Sequence, residues 1–204
     1  MRLDILAVSL VLVVVAPVEN SFAQSAGLPS SHSSISDSAL AGSAGNIAVN
    51  NSAGFGNAQA NMVAISIGDE LAIANINSHQ QVPHDLPGGR GNQVSEIGGN
   101  AFRNASGIIA VNQSSGNGNT QANLVAIAVG SMSEISIDQL GRVSASQDMS
   151  VNSSESAEDS GTQVSRIADS AFSGARGIVQ VNQLAGSGNR SANVFALSVG
   201  IGVP

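Results

Sequence analysis

The chain has 204 residues, a formal net charge of −7, five Phe, and no Cys, Trp, Tyr or Lys. Without cysteine there is no disulfide framework, thiolate metal site or acylated lipoprotein cysteine, and an acidic chain with no Lys/Arg stripe is no partner for a nucleic-acid backbone. The apolar residues are almost all Ala, Val, Ile and Leu, diluted by 23 Gly, so a bulky core anchored on aromatic rings is not expected.

In chain order, residues 1–23 read as a signal peptide. Arg2 gives a short positive start, residues 5–15 form an apolar run, and Ser21-Phe22-Ala23 resembles a small-x-small cleavage site. Asp4 is unusual in such a start. The run is short for the roughly 20 residues of a spanning helix, so export with cleavage is expected, leaving a chain that begins near Gln24. No later segment is long and apolar enough to cross a membrane as a helix. Residues 24–34 form a tail before the first of three internal copies.

Residues 35–68, 97–130 and 167–200 align without a gap at offsets of 62 and 70, and 12 positions are identical in all three. Internal duplication of this kind signals a repeat architecture. Each copy has one plan. A β-forming stretch comes first (47–51, 109–113, 179–183), then a tight Gly-x-Gly-Asn turn built on Gly54/Gly56, Gly116/Gly118 and Gly186/Gly188. Gly and Asn suit such a turn because they tolerate positive φ. A second stretch follows, ending at Gly68, Gly130 and Gly200. Read with period 2, one of its faces is Asn61, Val63, Ile65 and Ile67, and the other is Ala60, Met62, Ala64 and Ser66. This alternation predicts a strand with one strongly apolar face.

The segments between copies (69–96 and 131–166) hold ten of the twelve acidic residues that follow the leader. Pro83 and Pro87 lie in the first of them. Alternating runs at 71–76 and 134–138 predict that strand pairing spills into both linkers, while 144–160 reads as flexible and solvated. If each copy forms one rung, like residues stack at about 4.8 Å. Asn50/Asn112/Asn182, Asn57/Asn119/Asn189 and Asn61/Asn123/Asn193 would then form ladders, since a side-chain amide both donates and accepts. Stacked identical charges would repel, which accounts for the scarcity of charge inside the copies. The third copy closes four residues from the end of the chain, at 201–204, so uncapped edges are expected to favour end-to-end growth.

The segment Gly-Ile-Ile-Ala-Val-Asn-Gln-Ser-Ser-Gly-Asn-Gly-Asn-Thr-Gln-Ala-Asn-Leu-Val-Ala-Ile-Ala-Val-Gly at 107–130 and its two partners resemble the repeats of bacterial functional amyloids. The closest likeness is to the Fap amyloid fimbriae of pseudomonads, with three imperfect repeats and two linkers of variable length. The Gln-x-x-Gly-x-Gly-Asn pieces at 113–119 and 183–189 are also similar to curlin repeats, with Asn51 in place of that Gln in the first copy. Fap subunits commonly carry a Cys-x-x-Cys near the C-terminus, and this chain has no cysteine. The resemblance implies a homopolymer, or a polymer with a related fibre subunit, in an extracellular or cell-surface fibre serving biofilm matrix or attachment. It also implies a periplasmic chaperone and an outer-membrane export pore as partners.

Other chemistry is poorly represented. His32, His79 and His84 are scattered through the tail and first linker; His79, His84 and Asp85 could bind a metal ion, but a solvated linker accounts for them better. No Ser sits in a nucleophile elbow, and the Gly-x-Gly-Asn turns lack the third Gly, the Lys and the strand-to-helix setting of a phosphate loop. No cofactor and no catalytic residue is expected. The fold class expected is all-β, a repeat-built β-solenoid or cross-β stack of three rungs with partly disordered linkers. The function expected is a secreted, self-assembling structural protein, with a monomeric β-solenoid adhesin or binding module as the alternative; an outer-membrane barrel would need aromatic girdles that this chain lacks.

Overall fold

The computed structural model describes residues 30–82, 91–140 and 161–200, with two short pieces of the leader, Leu6–Ala7 and Val14–Val15. The rest of the leader and tail, Pro83 to Arg90, the stretch 144–160 expected to be flexible, and residues 201–204 lie outside the described residues. Every described element is a strand or a turn. Leu6–Ala7 is β1 and Val14–Val15 is β2. The first rung is β3 (Ser31–Ile35), β4 (Ala44–Ala53), β5 (Ala58–Ile67) and β6 (Leu71–His79). The second is β7 (Gln93–Ile97), β8 (Ser106–Ser115), β9 (Thr120–Gly130) and β10 (Met132–Leu140). The third is β11 (Gln163–Ile167), β12 (Arg176–Ala185) and β13 (Arg190–Gly200).

Within a rung, consecutive strands face one another through side chains. Between rungs, equivalent strands pair in parallel, giving sheets ordered β11-β7-β3, β12-β8-β4-β2, β1-β5-β9-β13 and β10-β6. The chain is therefore an all-β, solenoid-like stack of three rungs, each folded back and forth across up to four sheets. The pairing is in register along the internal repeat: Asn50 lies opposite Asn112 and Asn112 opposite Asn182, and Asn61, Asn123 and Asn193 are aligned in the next sheet. The leader pieces sit on the first rung's edge, β2 parallel to β4 and β1 antiparallel to β5.

Local chemistry explains the folding back. Gly116 (φ 115°) and Gly118 (φ 69°) turn the chain between β8 and β9 in a backbone region that side chains rarely adopt. A Cβ on Gly116 would also run into the carbonyl oxygen of Gly186 in the next rung. The earlier turn, between β7 and β8, uses left-handed backbone at Phe102 (φ 58°) and Asn104 (φ 55°). Phe102 is fully buried there and stacks on Phe172 of the third rung, with ring centroids 4.7 Å apart and planes 3° from parallel.

Two apolar layers hold the sheets together. Ile35, Ile47, Ile97, Ile109, Val111 and Phe102 fill the space between the first and second sheets. Ala122, Leu124, Ala126 and Ala128 of β9 meet Ala72, Ala74 and Ile76 of β6, joined by Ile135 and Ile137 of β10. The small face of the second repeat strand is thus the one that the linker strands cover. The bulky face divides along its length. Asn123 and Val125 are buried next to the turn, whereas Ile65, Ile67, Leu197 and Val199 are exposed.

The linker strands pair at an offset of 61, Leu71 with Met132 and Ile76 with Ile137. The repeat that ends at Gly68 runs at 62. The second copy spends one residue fewer between its Gly130 and its linker strand, and this shift hides the pairing from a gap-free alignment.

Candidate functional site: interlocked amide ladders

The layer between the second and third sheets is polar, and it is made of the asparagines that the repeat aligns. Inward alternation on β4, β8 and β12 directs Asn50, Asn112 and Asn182 at this layer; alternation on β5, β9 and β13 directs Asn61, Asn123 and Asn193 at it from the other side. Asn112 Nδ2 donates to Asn50 Oδ1 at 3.1 Å, and Asn182 Nδ2 to Asn112 Oδ1 at 3.0 Å. In the facing column, Asn123 Nδ2 donates to Asn61 Oδ1 at 2.9 Å and Asn193 Nδ2 to Asn123 Oδ1 at 3.0 Å.

Cross-links join the two columns. Asn112 Nδ2 also reaches Asn61 Oδ1 at 3.0 Å, and Asn182 Nδ2 reaches Asn123 Oδ1 at 3.1 Å. Within each rung, the β5-type Asn donates to the β4-type Asn: Asn61 to Asn50 at 2.9 Å, Asn123 to Asn112 at 3.0 Å, and Asn193 to Asn182 at 3.0 Å. The amides tie to main chain as well, Asn112 Nδ2 to Ala60 O at 2.8 Å and Asn123 Nδ2 to Val111 O at 3.1 Å. Asn112, Asn119 and Asn123 are completely buried. Such a layer tolerates burial because each of the six asparagines in the two facing columns finds partners.

The turn column behaves differently. Asn57 Oδ1 accepts from the Asn119 main-chain N–H at 2.9 Å, and Asn57 Nδ2 donates to Gly116 O at 2.8 Å. Asn119 Nδ2 likewise donates to Gly186 O at 2.8 Å. Only Asn189 bonds amide to amide, Nδ2 to Asn119 Oδ1 at 3.1 Å. Gly54, Gly56, Gly186 and Gly188 share the positive φ of Gly116 and Gly118, from 64° to 118°, and so form the column of turns on which this network rests.

A glutamine column, absent from the asparagine pattern, staples the first sheet to the second. Gln113 Nε2 donates to Ser33 O at 3.0 Å and Glu96 O at 2.9 Å, and Gln183 Nε2 donates to Gln113 Oε1 at 2.9 Å. Asn51 fills the same column in the first rung and donates to Ser34 O at 2.8 Å. A second pair, Gln59 to Gln121 at 2.6 Å, lies beside the asparagine layer. Asn51, Gln113 and Gln183 stand amide for amide in the alignment, whereas the column of Gln59 and Gln121 ends in Ser191. What the sequence did not carry is their reach across to another sheet.

The chemistry available is that of a neutral, extensible hydrogen-bond lattice. It holds no ionised side chain, and among the described residues no group of three His, Asp or Glu is placed to hold a metal ion. His32 and His79 stand exposed on β3 and β6, while His84 and Asp85 lie outside the described residues.

A sequence model of the functional amyloid protein FapB/FapC family matches residues 14–200. The chain belongs to that family. FapB/FapC membership therefore holds for this chain without the Cys-x-x-Cys, and the matched span takes in all three rungs and both linkers. The FapB/FapC family is one of structural amyloid subunits and not of enzymes. No solved structure matches the chain.

Where the third rung ends the described stack, an open groove of about 540 Å³ runs between β12 and β13, lined by Val179, Val181, Asn193, Val194 and Phe195 among others. Columns that are sealed in the second rung are open here. Ile97, Ile109 and Leu124 are 0% exposed, but their third-rung equivalents Ile167, Val179 and Val194 are 45%, 40% and 52% exposed.

Proposed function

We propose that this functional amyloid protein is exported and assembles with further copies into surface fibres that serve biofilm matrix or attachment. The observation that carries this reading is the contrast between the second and third rungs. The same columns that are dry between two rungs are half open at the third, and another rung would close them. Burial of that apolar surface favours association, and the amide ladders offer each incoming rung matched donors and acceptors. Assembly as a homopolymer or with a related subunit fits this geometry equally. Export through an outer-membrane pore with help from a periplasmic chaperone follows from the family resemblance and from the signal-peptide pattern of residues 1–23, whose removal would clear β1 and β2 from the first rung's edge.

Purified protein incubated at high concentration is expected to form thioflavin-positive fibres with cross-β reflections near 4.8 and 10 Å. Persistence as a soluble monomer over days would contradict the proposal and favour a monomeric solenoid that acts as an adhesin.

A further inference from the structure

The fibre reading leaves open which edge of one copy meets which edge of the next, and the arginines bear on it. Of seven Arg in the chain, Arg166, Arg176 and Arg190 all lie on the third rung and are all exposed. Their columns read Ser34–Glu96–Arg166, Ala44–Ser106–Arg176 and Ala58–Thr120–Arg190. Wherever the third rung ends in a long cation, the first rung presents a small side chain.

We propose that the third-rung edge of one copy docks on the first-rung edge of a second copy, head to tail, with Arg176 set against Ala44 and Arg190 against Ala58. This inference rests on the fibre reading and deepens it. Joining two third-rung edges requires a two-fold axis. That arrangement pairs the strands antiparallel, takes the asparagine columns out of line, and crowds six Arg into one interface, where like charges oppose pairing. Head-to-tail docking avoids all three. Among the described residues it brings like charges together only at Asp169 and Asp37, which lie at an exposed turn where solvent screens them.

The main chain has the matching polarity. Gly116 N–H donates to Ala53 O and Gly186 N–H to Ser115 O, both at 2.9 Å. One step further, Gly54 N–H of the second copy is aimed at Ala185 O of the first. Likewise Ala58 and Thr120 N–H donate to Asn119 and Asn189 O at 2.8 Å, which aims Arg190 N–H at Asn57 O of the second copy. Steric detail agrees. A Cβ on Gly177 would strike the Gly107 carbonyl and one on Gly107 would strike the Gly45 carbonyl, while the equivalent space beside Gly45 is open. Docking places the Gly177 carbonyl of the neighbour there. Val14–Val15 already lies parallel on this edge, opposite Val49 and Asn50, so a docking copy takes the place of those leader residues.

The test is charge-swap rescue of seeded fibre growth with the full chain at low ionic strength. Ala44→Arg sets a cation against Arg176 of the neighbour, while within its own chain position 44 faces Ser106. Growth is expected to slow about fivefold. Adding Arg176→Glu to the same chain is expected to restore it to within about twofold, with the benefit fading in high salt. A second pair in another sheet, Ala58→Arg with Arg190→Glu, repeats the swap. Normal growth of both single variants, or failure of both swaps to restore growth, overturns head-to-tail docking. A wild-type chain that forms no fibre refutes the assembly reading itself, a distinct result.

Discussion

At the scale of single residues, the asparagines decide between a stack that holds and one that does not. Asn112 is completely buried, and its Nδ2 faces three acceptors: Asn50 Oδ1, Asn61 Oδ1 and Ala60 O, at 3.1, 3.0 and 2.8 Å. Asn112→Asp removes the donor and puts a negative charge among those oxygens. It is expected to destabilise the fold by about 3 kcal/mol or more, whereas Asn112→Ala should cost about 1–3 kcal/mol because it only leaves partners unpaired. Denaturant titration of the two variants checks both the sign and the order, and equal stability of Asn112→Asp and wild type would refute the ladder as a structural device. Phe102 is the other sensitive residue. It is fully buried and stacked on Phe172, so Phe102→Ala should cost about 3–5 kcal/mol, read from the same titration. Leu40 occupies the first-rung position of this column and also has positive φ (56°), so the stack begins with an aliphatic side chain and continues with rings.

At the scale of elements, protection from solvent should follow position in the stack. The second-rung strands β8 and β9 are paired on both sides, and β12 and β13 on one side only among the described residues. Amide hydrogen exchange of the unassembled chain should therefore be slowest in β8 and β9 and faster in β12 and β13; in fibres the difference should vanish. Uniform exchange in the unassembled chain would mean that the rungs do not stack in this order. The elements also differ in how far sequence could reveal them. The two repeat strands and the turn between them were legible because period-2 alternation, Gly-x-Gly-Asn and three aligned copies all point one way. The linker strands were legible as strands from the alternation at 71–76 and 134–138. Their register was not, since the offset of 61 departs by one residue from the repeat. The burial of the second repeat strand was harder still. Val63, Ile65 and Ile67 look like a core face, yet Ile65 and Ile67 are exposed, because burial depends on which side chains the facing strand offers, and period-2 alternation within one strand does not carry that. The turn holding Phe102 escaped notice because a bulky residue at positive φ carries no local signature of the kind that Gly does.

At the scale of the whole molecule, one chain is a three-rung stack, and in the proposed fibre it is one segment of a longer lattice. A FapB/FapC chain of this form presents equivalent strands at both ends of the segment, so the proposed growth would repeat between molecules what the fold already does within one. Among the described residues, the acidic residues of the linkers lie on or beside β6, β7 and β10 and not in the amide layer. This arrangement fixes the length that each molecule adds. Three rungs spaced by about 4.8 Å advance the fibre by about 14 Å per chain, whereas a subunit lying in a single layer, as in simple cross-β stacks, advances it by about 4.8 Å. Helical reconstruction of the fibres by electron cryomicroscopy measures this rise directly: about 14 Å per chain is the result expected, and a rise of one strand spacing per chain would contradict the three-rung stack.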